Sequence, residues 1–140
     1  MRQLSMAIVT VMLLGAAVAA RAQDAAKPVS ATPQNIAAFL GEWTISTSNS
    51  SYGNANLTMT LKVADGKVVG DVSDANGTHV LGSVSKSGTS LVATYGFDYQ
   101  GMPLDAVVTL TPNEKNDKQI DAYVDFANGA AQFVGTATKK

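Results

Sequence analysis

The chain has 140 residues, 10 lysines and arginines against 11 acids, a formal net charge of −1, one histidine and no cysteine. The missing cysteine excludes a disulfide framework, thiolate metal sites and a lipid-modified cysteine. The length allows one domain with a real core but not two.

Met1-Arg2-Gln3, an apolar stretch over residues 6–20 and Ala20-Arg21-Ala22 before Gln23 follow the charged, apolar, small-residue order of a secretory signal. Residues 1–22 are therefore expected to be a removed signal peptide. Retention as an anchor is disfavoured, because the stretch is short for a span and ends in an Ala-x-Ala site. The expected product is secreted or periplasmic, with no membrane span after signal removal. Taking Arg2 and Arg21 from the 10 basic residues leaves 8 lysines against 11 acids, a charge of about −3 and no arginine. That balance lacks the footprint of a nucleic-acid binder.

Residues 23–31, small and polar with Pro28, read as a flexible leader. The single folded domain is then expected over 32–140. Thr32-Pro33 predicts a helix N-cap with proline at the first helical position, and Ile36, Phe39 and Leu40 follow at helical spacing before Gly41. One or two helical turns are predicted there.

From Gly41 onward the apolar period is two, and turn dipeptides arrive about every ten residues. A two-residue loop at Asp65-Gly66 sets Val63 opposite Val68, Leu61 opposite Gly70 and Met59 opposite Val72, so the apolar alternates share a face. Asn128-Gly129 sets Phe126 opposite Ala131, Val124 opposite Phe133, Ala122 opposite Gly135 and Ile120 opposite Ala137, with Asp121, Tyr123 and Asp125 outward. Gln100-Gly101 aligns Phe97 with Leu104, Tyr95 with Ala106, Ala93 with Val108 and Leu91 with Leu110. The fourth strand conflicts with itself. A tight Asn76-Gly77 turn faces Leu81 inward, whereas a Ser87-Gly88 turn faces Val80 and Val84 inward. The two valines favour the second, with a bulge or longer loop near residues 74–78.

Eight strands are predicted near 42–48, 56–63, 67–73, 78–85, 89–99, 103–111, 118–126 and 130–138. Consecutive hairpins with one apolar face hide it by curling until the last strand meets the first. The expected fold is all-β, an eight-stranded antiparallel up-and-down barrel after a short N-terminal helix, with a two-sheet sandwich as the alternative. Gly70, Gly96 and Gly135 are expected to mark barrel bends.

Gly41-Glu42-Trp43 resembles the Gly-x-Trp opening of the first strand in the lipocalin and avidin-like (calycin-like) barrels. Asp65-Gly66-Lys67-Val68-Val69-Gly70 and Phe133-Val134-Gly135-Thr136 are similar to small barrel domains of secreted bacterial proteins, some appended to hydrolases. The resemblance implies that Trp43 plugs one end of the barrel. Lipocalins commonly pack an arginine across that tryptophan, and none remains here after Arg21. Avidin-like proteins place an asparagine two residues beyond it and further tryptophans around biotin. Ile45 stands at that position and Trp43 is the one tryptophan, so biotin binding is not implied.

Few residues suggest chemistry. His79 is the single histidine, and a tight turn sets Asp74 opposite it, like a base with its orienting carboxylate. A nucleophile is still needed, and Ser73 and Thr78 are ordinary hydroxyls in a chain rich in them, so His79 reads as a surface residue beside a turn. Asp65, Asp71, Asp74, Asp98, Asp105, Asp121 and Asp125 fall mostly at turns or on outward alternates, where they keep the barrel soluble. They form neither a converging acid pair nor an EF-hand spacing, and the glycines sit singly, so no catalytic residue, metal or cofactor is expected.

An up-and-down winding gathers loops 48–55, 74–78, 100–102 and 127–129 at one mouth, with Asn49, Ser50, Ser51, Tyr52, Tyr99, Gln100, Met102 and Asn128. The helix, turns 64–67 and 86–89, loop 112–118 and both termini gather at the other end. The interior between Met59, Tyr95, Phe97, Phe126 and Phe133 is either hollow or filled by those side chains. The expected ligand-binding residues are Asn49, Tyr52, Met59, Tyr95, Phe97, Tyr99, Met102 and Phe133, with loop 48–55 as a lid. The expected function is non-enzymatic: binding of a small, partly apolar ligand or a protein surface at that mouth. The alternative is a solid structural or accessory module of the cell envelope, docking an envelope protein without a small-molecule ligand.

Overall fold

A computed structural model describes residues 28–113 and 115–140. The signal peptide expected over residues 1–22 and the first part of the expected leader lie outside the described residues. A two-residue strand β1 (Val29–Ser30) and a 3-10 turn (Ala37–Phe39) precede eight long strands. These are β2 (Gly41–Asn49), β3 (Gly53–Ala64), β4 (Lys67–Asp74), β5 (Gly77–Ser87), β6 (Ser90–Tyr99), β7 (Met102–Asn113), β8 (Asn116–Phe126) and β9 (Ala131–Lys139). Every consecutive pair is antiparallel, and β9 pairs back onto β2 from Ser48↔Val134 to Trp43↔Lys139. The sheet therefore closes into an eight-stranded up-and-down barrel, not a sandwich.

The three hairpin registers agree with the alternation: Met59↔Val72, Tyr95↔Ala106 and Val124↔Phe133 are paired as expected. Asp65 and Gln100 both have φ 52° ahead of a left-handed glycine, the doubly left-handed turn whose twist matches that of the flanking strands. At the third hairpin the register holds, while the turn spans residues 127–130, with Ala127 and Asn128 both at φ 55°.

Strand β5 departs from expectation. Asp74 pairs with Gly77, so the tight loop is Ala75-Asn76, and Val72 pairs with His79. The register then slips between Leu81 and Ser83, at Gly82, and resumes with Val84↔Ala93. One bulge in mid-strand thus turns both Leu81 and Val84 toward the core, while Val80 is 79% exposed. The inward placement of Val80 is wrong, because the conflict between the two turns is resolved inside the strand and not in the loop. At the other end of β5 the turn is Gly88-Thr89, one residue later than expected.

Strands β4 and β5 pair only between residues 71–74 and 77–80. Below that point the open edge of β5 receives β1, through Val29↔Lys86 and Ser30↔Ser85, and the Ala31 N–H donates to the Val84 carbonyl at 3.1 Å. The end of the leader is therefore an edge strand that covers exposed backbone.

Gly135 has its role in the closure of the ring. A Cβ there would run into the Ser46 carbonyl oxygen and lie 2.7 Å from Thr47 Cα, so β9 can approach β2 only without a side chain. Gly70 is in the same position against the Thr60 carbonyl of β3, whereas a Cβ at Gly96 would have nothing nearer than 3.8 Å.

The closed end is built by the segment before β2. Thr32 and Asn35 cap each other, with the Thr32 N–H on Asn35 Oδ1 at 2.7 Å and the Asn35 N–H on Thr32 Oγ1 at 3.1 Å. The turn that follows buries Ile36 and Phe39. Trp43 Nε1 donates to the Phe39 carbonyl at 2.8 Å, and the two rings are 6.5 Å apart. Trp43 is thus a core plug. Lys139 Nζ stands 5.8 Å over its indole, a cation on the ring where no arginine is available.

Candidate functional site

The opposite end is open. Four turns meet there: residues 50–52, Ala75-Asn76, Gln100-Gly101 and residues 127–130. Beneath them lies a cup of about 650 Å³, walled by Leu57, Phe97, Leu104, Phe126, Ala131 and Phe133 and rimmed by Tyr52, Asn54, Ala55, Asn56, Asp74, Ala75, Asn76, Tyr99, Ala127 and Ala130. The interior is therefore neither wholly hollow nor filled. Met59, Leu61, Tyr95 and Val72 pack the lower part solidly, and the space above them is free.

Alternation explains the wall. Phe97, Phe126 and Phe133 are inward alternates of three strands, and their rings touch in succession. Centroids are 5.7 Å apart for Phe97–Phe126 and 5.4 Å for Phe126–Phe133, both edge to face. The chain of rings continues through Tyr52 on Phe133 at 6.4 Å, and through Tyr95 on Phe97 at 6.1 Å to His79 on Tyr95 at 5.4 Å.

His79 is not a surface residue. Its pairing with Val72 turns it inward, its ring stacks on Tyr95, and Nε2 lies 3.4 Å from Asp74 Oδ1. Neither His79 Nε2 nor the Tyr95 hydroxyl has a hydrogen-bond partner among the described residues, and both atoms are buried. The Tyr95 hydroxyl is held above the usual phenol range, first by burial and then by the Asp74 charge. The hydroxyls Ser73 Oγ and Thr78 Oγ1 are 2.9 Å apart and bond each other.

Of the residues expected from the sequence, Tyr52, Phe97, Tyr99 and Phe133 line the cup. Met59 and Tyr95 lie in the packed layer, and Met102 is exposed outside the lining. Asn49 is occupied in the turn, its Nδ2 donating to the Gln132 carbonyl at 2.6 Å and its Oδ1 accepting from the Ser51 and Tyr52 N–H groups. Because β2 and β3 run on to Asn49↔Gly53, the expected long loop shrinks to three residues. Sequence reasoning missed Asp74 at the rim and left Leu57, Leu104 and Phe126 out of the expected ligand-binding residues, although Phe126 was placed in the interior and Leu104 opposite Phe97. Alternation carried the signal for the three apolar residues.

Charge is divided between the ends. The mouth half carries Asp74, Asp98, Asp105 and Asp125, whereas Lys62, Lys67, Lys86, Lys115, Lys139 and Lys140 belong to the closed half. No group of three or more metal-ligating side chains occurs among the described residues, and none of their helices is long and apolar enough to cross a membrane.

These features define a class, a closed antiparallel eight-stranded barrel with a plugged end and an aromatic cup at the other. The architecture is consistent with a calycin-like barrel. No protein-family model, curated protein or solved structure matches the chain.

Proposed function

We propose that this protein is a non-enzymatic, exported binding barrel that holds a small, partly apolar molecule in its mouth cup, using its interior as lipocalin- and avidin-like barrels use theirs. The observation that carries this reading is the cup itself. Its volume of about 650 Å³ falls within the roughly 300–1,000 Å³ of small-molecule sites, and its wall is mostly aromatic and aliphatic with a few polar groups at the edge. A solid module would have no reason to leave three phenyl faces open to a cavity.

Titration with Nile red, an uncharged apolar dye, tests the reading. Saturable, one-to-one uptake with a blue-shifted emission is expected. Ala131→Trp, which fills the cup from its wall, is expected to abolish that uptake while the melting temperature holds. Dye uptake that is absent, or that is indifferent to Ala131→Trp, refutes the cup as a binding site.

A further inference from the structure

An apolar container has no need of Asp74. Its side chain is only 14% exposed, yet it lies on the cup rim. Among the described residues its contacts are the Asn76 N–H on Oδ1 at 2.8 Å and His79 Nε2 at 3.4 Å, and no lysine reaches it. A carboxylate so far removed from water is costly unless a counter-charge meets it.

A second observation stands apart from that charge. Tyr95 is 2% exposed with an unpartnered hydroxyl, and His79 Nε2 beside it is unpartnered too. Buried polar atoms nearly always have partners, so an unmatched pair at one place is a demand for hydrogen bonds from outside the chain. Tyr95 and His79 stack at 5.4 Å, and His79 Nε2 lies 3.4 Å from Asp74, so the two unpartnered groups adjoin the carboxylate, which is the member of the three that lines the cup. A primary ammonium would bring to that carboxylate both a counter-charge and N–H donors.

The surroundings favour the same head group. Ring faces attract cations, and Phe97, the neighbour of Tyr95 at 6.1 Å, belongs to the wall. The acids of the mouth half, with no described lysine among them, draw cations toward the opening. An anionic ligand would meet Asp74 with repulsion, and a neutral one would leave its charge uncompensated.

We propose that the cup binds an organic amine in its ammonium form, the head group at Asp74, with Tyr95 and His79 packed beside that carboxylate, and an apolar body against Phe97, Phe126 and Phe133. This rests on the cup being a binding site, and the test separates the two. Three fluorescent probes with one aromatic body are titrated at about pH 8, where an alkylamine is charged. They are dansylcadaverine, its N-acetyl derivative and the matching carboxylic acid. The amine is expected to bind at least about tenfold more tightly than the other two, the usual worth of a hydrogen-bonded charge. Asp74→Asn keeps an acceptor for the Asn76 N–H. It is expected to bring the amine down to the affinity of the acetylated probe, which itself is unchanged. Tyr95→Phe, which removes no volume from the core, is expected to weaken the amine selectively as well. Affinities within about threefold of one another, or an amine preference that survives both substitutions, overturn the amine proposal and leave the Nile red result standing. If neither Nile red nor any dansyl probe binds, the cup reading falls and this proposal with it.

Discussion

Replacing Tyr95 with phenylalanine isolates the unpartnered hydroxyl. The ring is 2% exposed, stacked on His79 and tilted against Phe97, and all of that packing survives the change. A buried tyrosine hydroxyl with a partner contributes about 1 kcal/mol, so its loss ordinarily destabilises. This one has no partner among the described residues, and removing it relieves a desolvation penalty of about 1–3 kcal/mol. The variant is therefore expected to be as stable as the wild type or up to about 2 kcal/mol more so, a rise of up to roughly 8 °C in melting temperature. Urea unfolding at neutral pH, followed by the emission of Trp43, reads the sign directly. The alkaline limb gives a second reading. Burial first and Asp74 second raise the native phenol above its unfolded value. The native state thus keeps a proton that the unfolded state loses near pH ~10. The stability tied to Tyr95 is complete below that pH and is lost progressively above it, so the wild type should fall more steeply than Tyr95→Phe. A loss above about 1 kcal/mol at neutral pH, or equal alkaline slopes, would show that the hydroxyl is already satisfied within the fold.

Two further substitutions test the architecture. Trp43→Ala empties the plug and breaks the bond to the Phe39 carbonyl, and a loss of about 3–5 kcal/mol is expected in urea melts followed by circular dichroism. Stability close to wild type would mean that the closed end is not organised around the indole. Gly135→Ala places a methyl group against β2 backbone and is expected to cost about 1–3 kcal/mol or more, whereas Gly96→Ala meets nothing within 3.8 Å and should be neutral or slightly stabilising. Equal effects at the two glycines would contradict the close contact of β9 with β2.

The barrel was legible because three hairpins carry their own register signals. Each has a turn dipeptide at its centre and apolar alternates that meet only in one alignment, as Leu61↔Gly70 and Ala93↔Val108 illustrate. The fourth strand was misread, since a bulge at Gly82 shifts the facing of every residue beyond it, and the reading from the turns overlooked the lone glycine inside the strand that signals it. Asp74 was missed for a related reason. Placed at a turn by sequence, an aspartate reads as solvated charge, and only the tight Ala75-Asn76 loop draws it back over the barrel wall. The shrinkage of loop 48–55 follows from β2 and β3 continuing their pairing through Ser, Asn and Gly residues, which propensity assigns to loops and which cross-strand hydrogen bonding keeps in the sheet.

The division between a packed half and a cup follows from side-chain size along the strands. An eight-stranded barrel is just wide enough for its own side chains, so its interior is solid wherever the inward residues are large. Met59, Leu61, Tyr95, Leu91 and Leu110 satisfy that condition in the lower layers, and Ile36, Phe39 and Trp43 complete it at the closed end. Toward the mouth the lining includes Ala55, Ala75, Ala127, Ala130 and Ala131, and beside Leu57 and Leu104 these methyl groups are too small to fill the space among the three phenylalanines. Packing is thus densest at the plugged end, where burial and the indole bond coincide. That concentration allows the open end to hold features that destabilise an unliganded fold: exposed ring faces, a carboxylate mostly removed from water and two unmet polar atoms. Each of these penalties lies against or just behind the cup, which is the arrangement expected when a bound molecule supplies what the chain withholds.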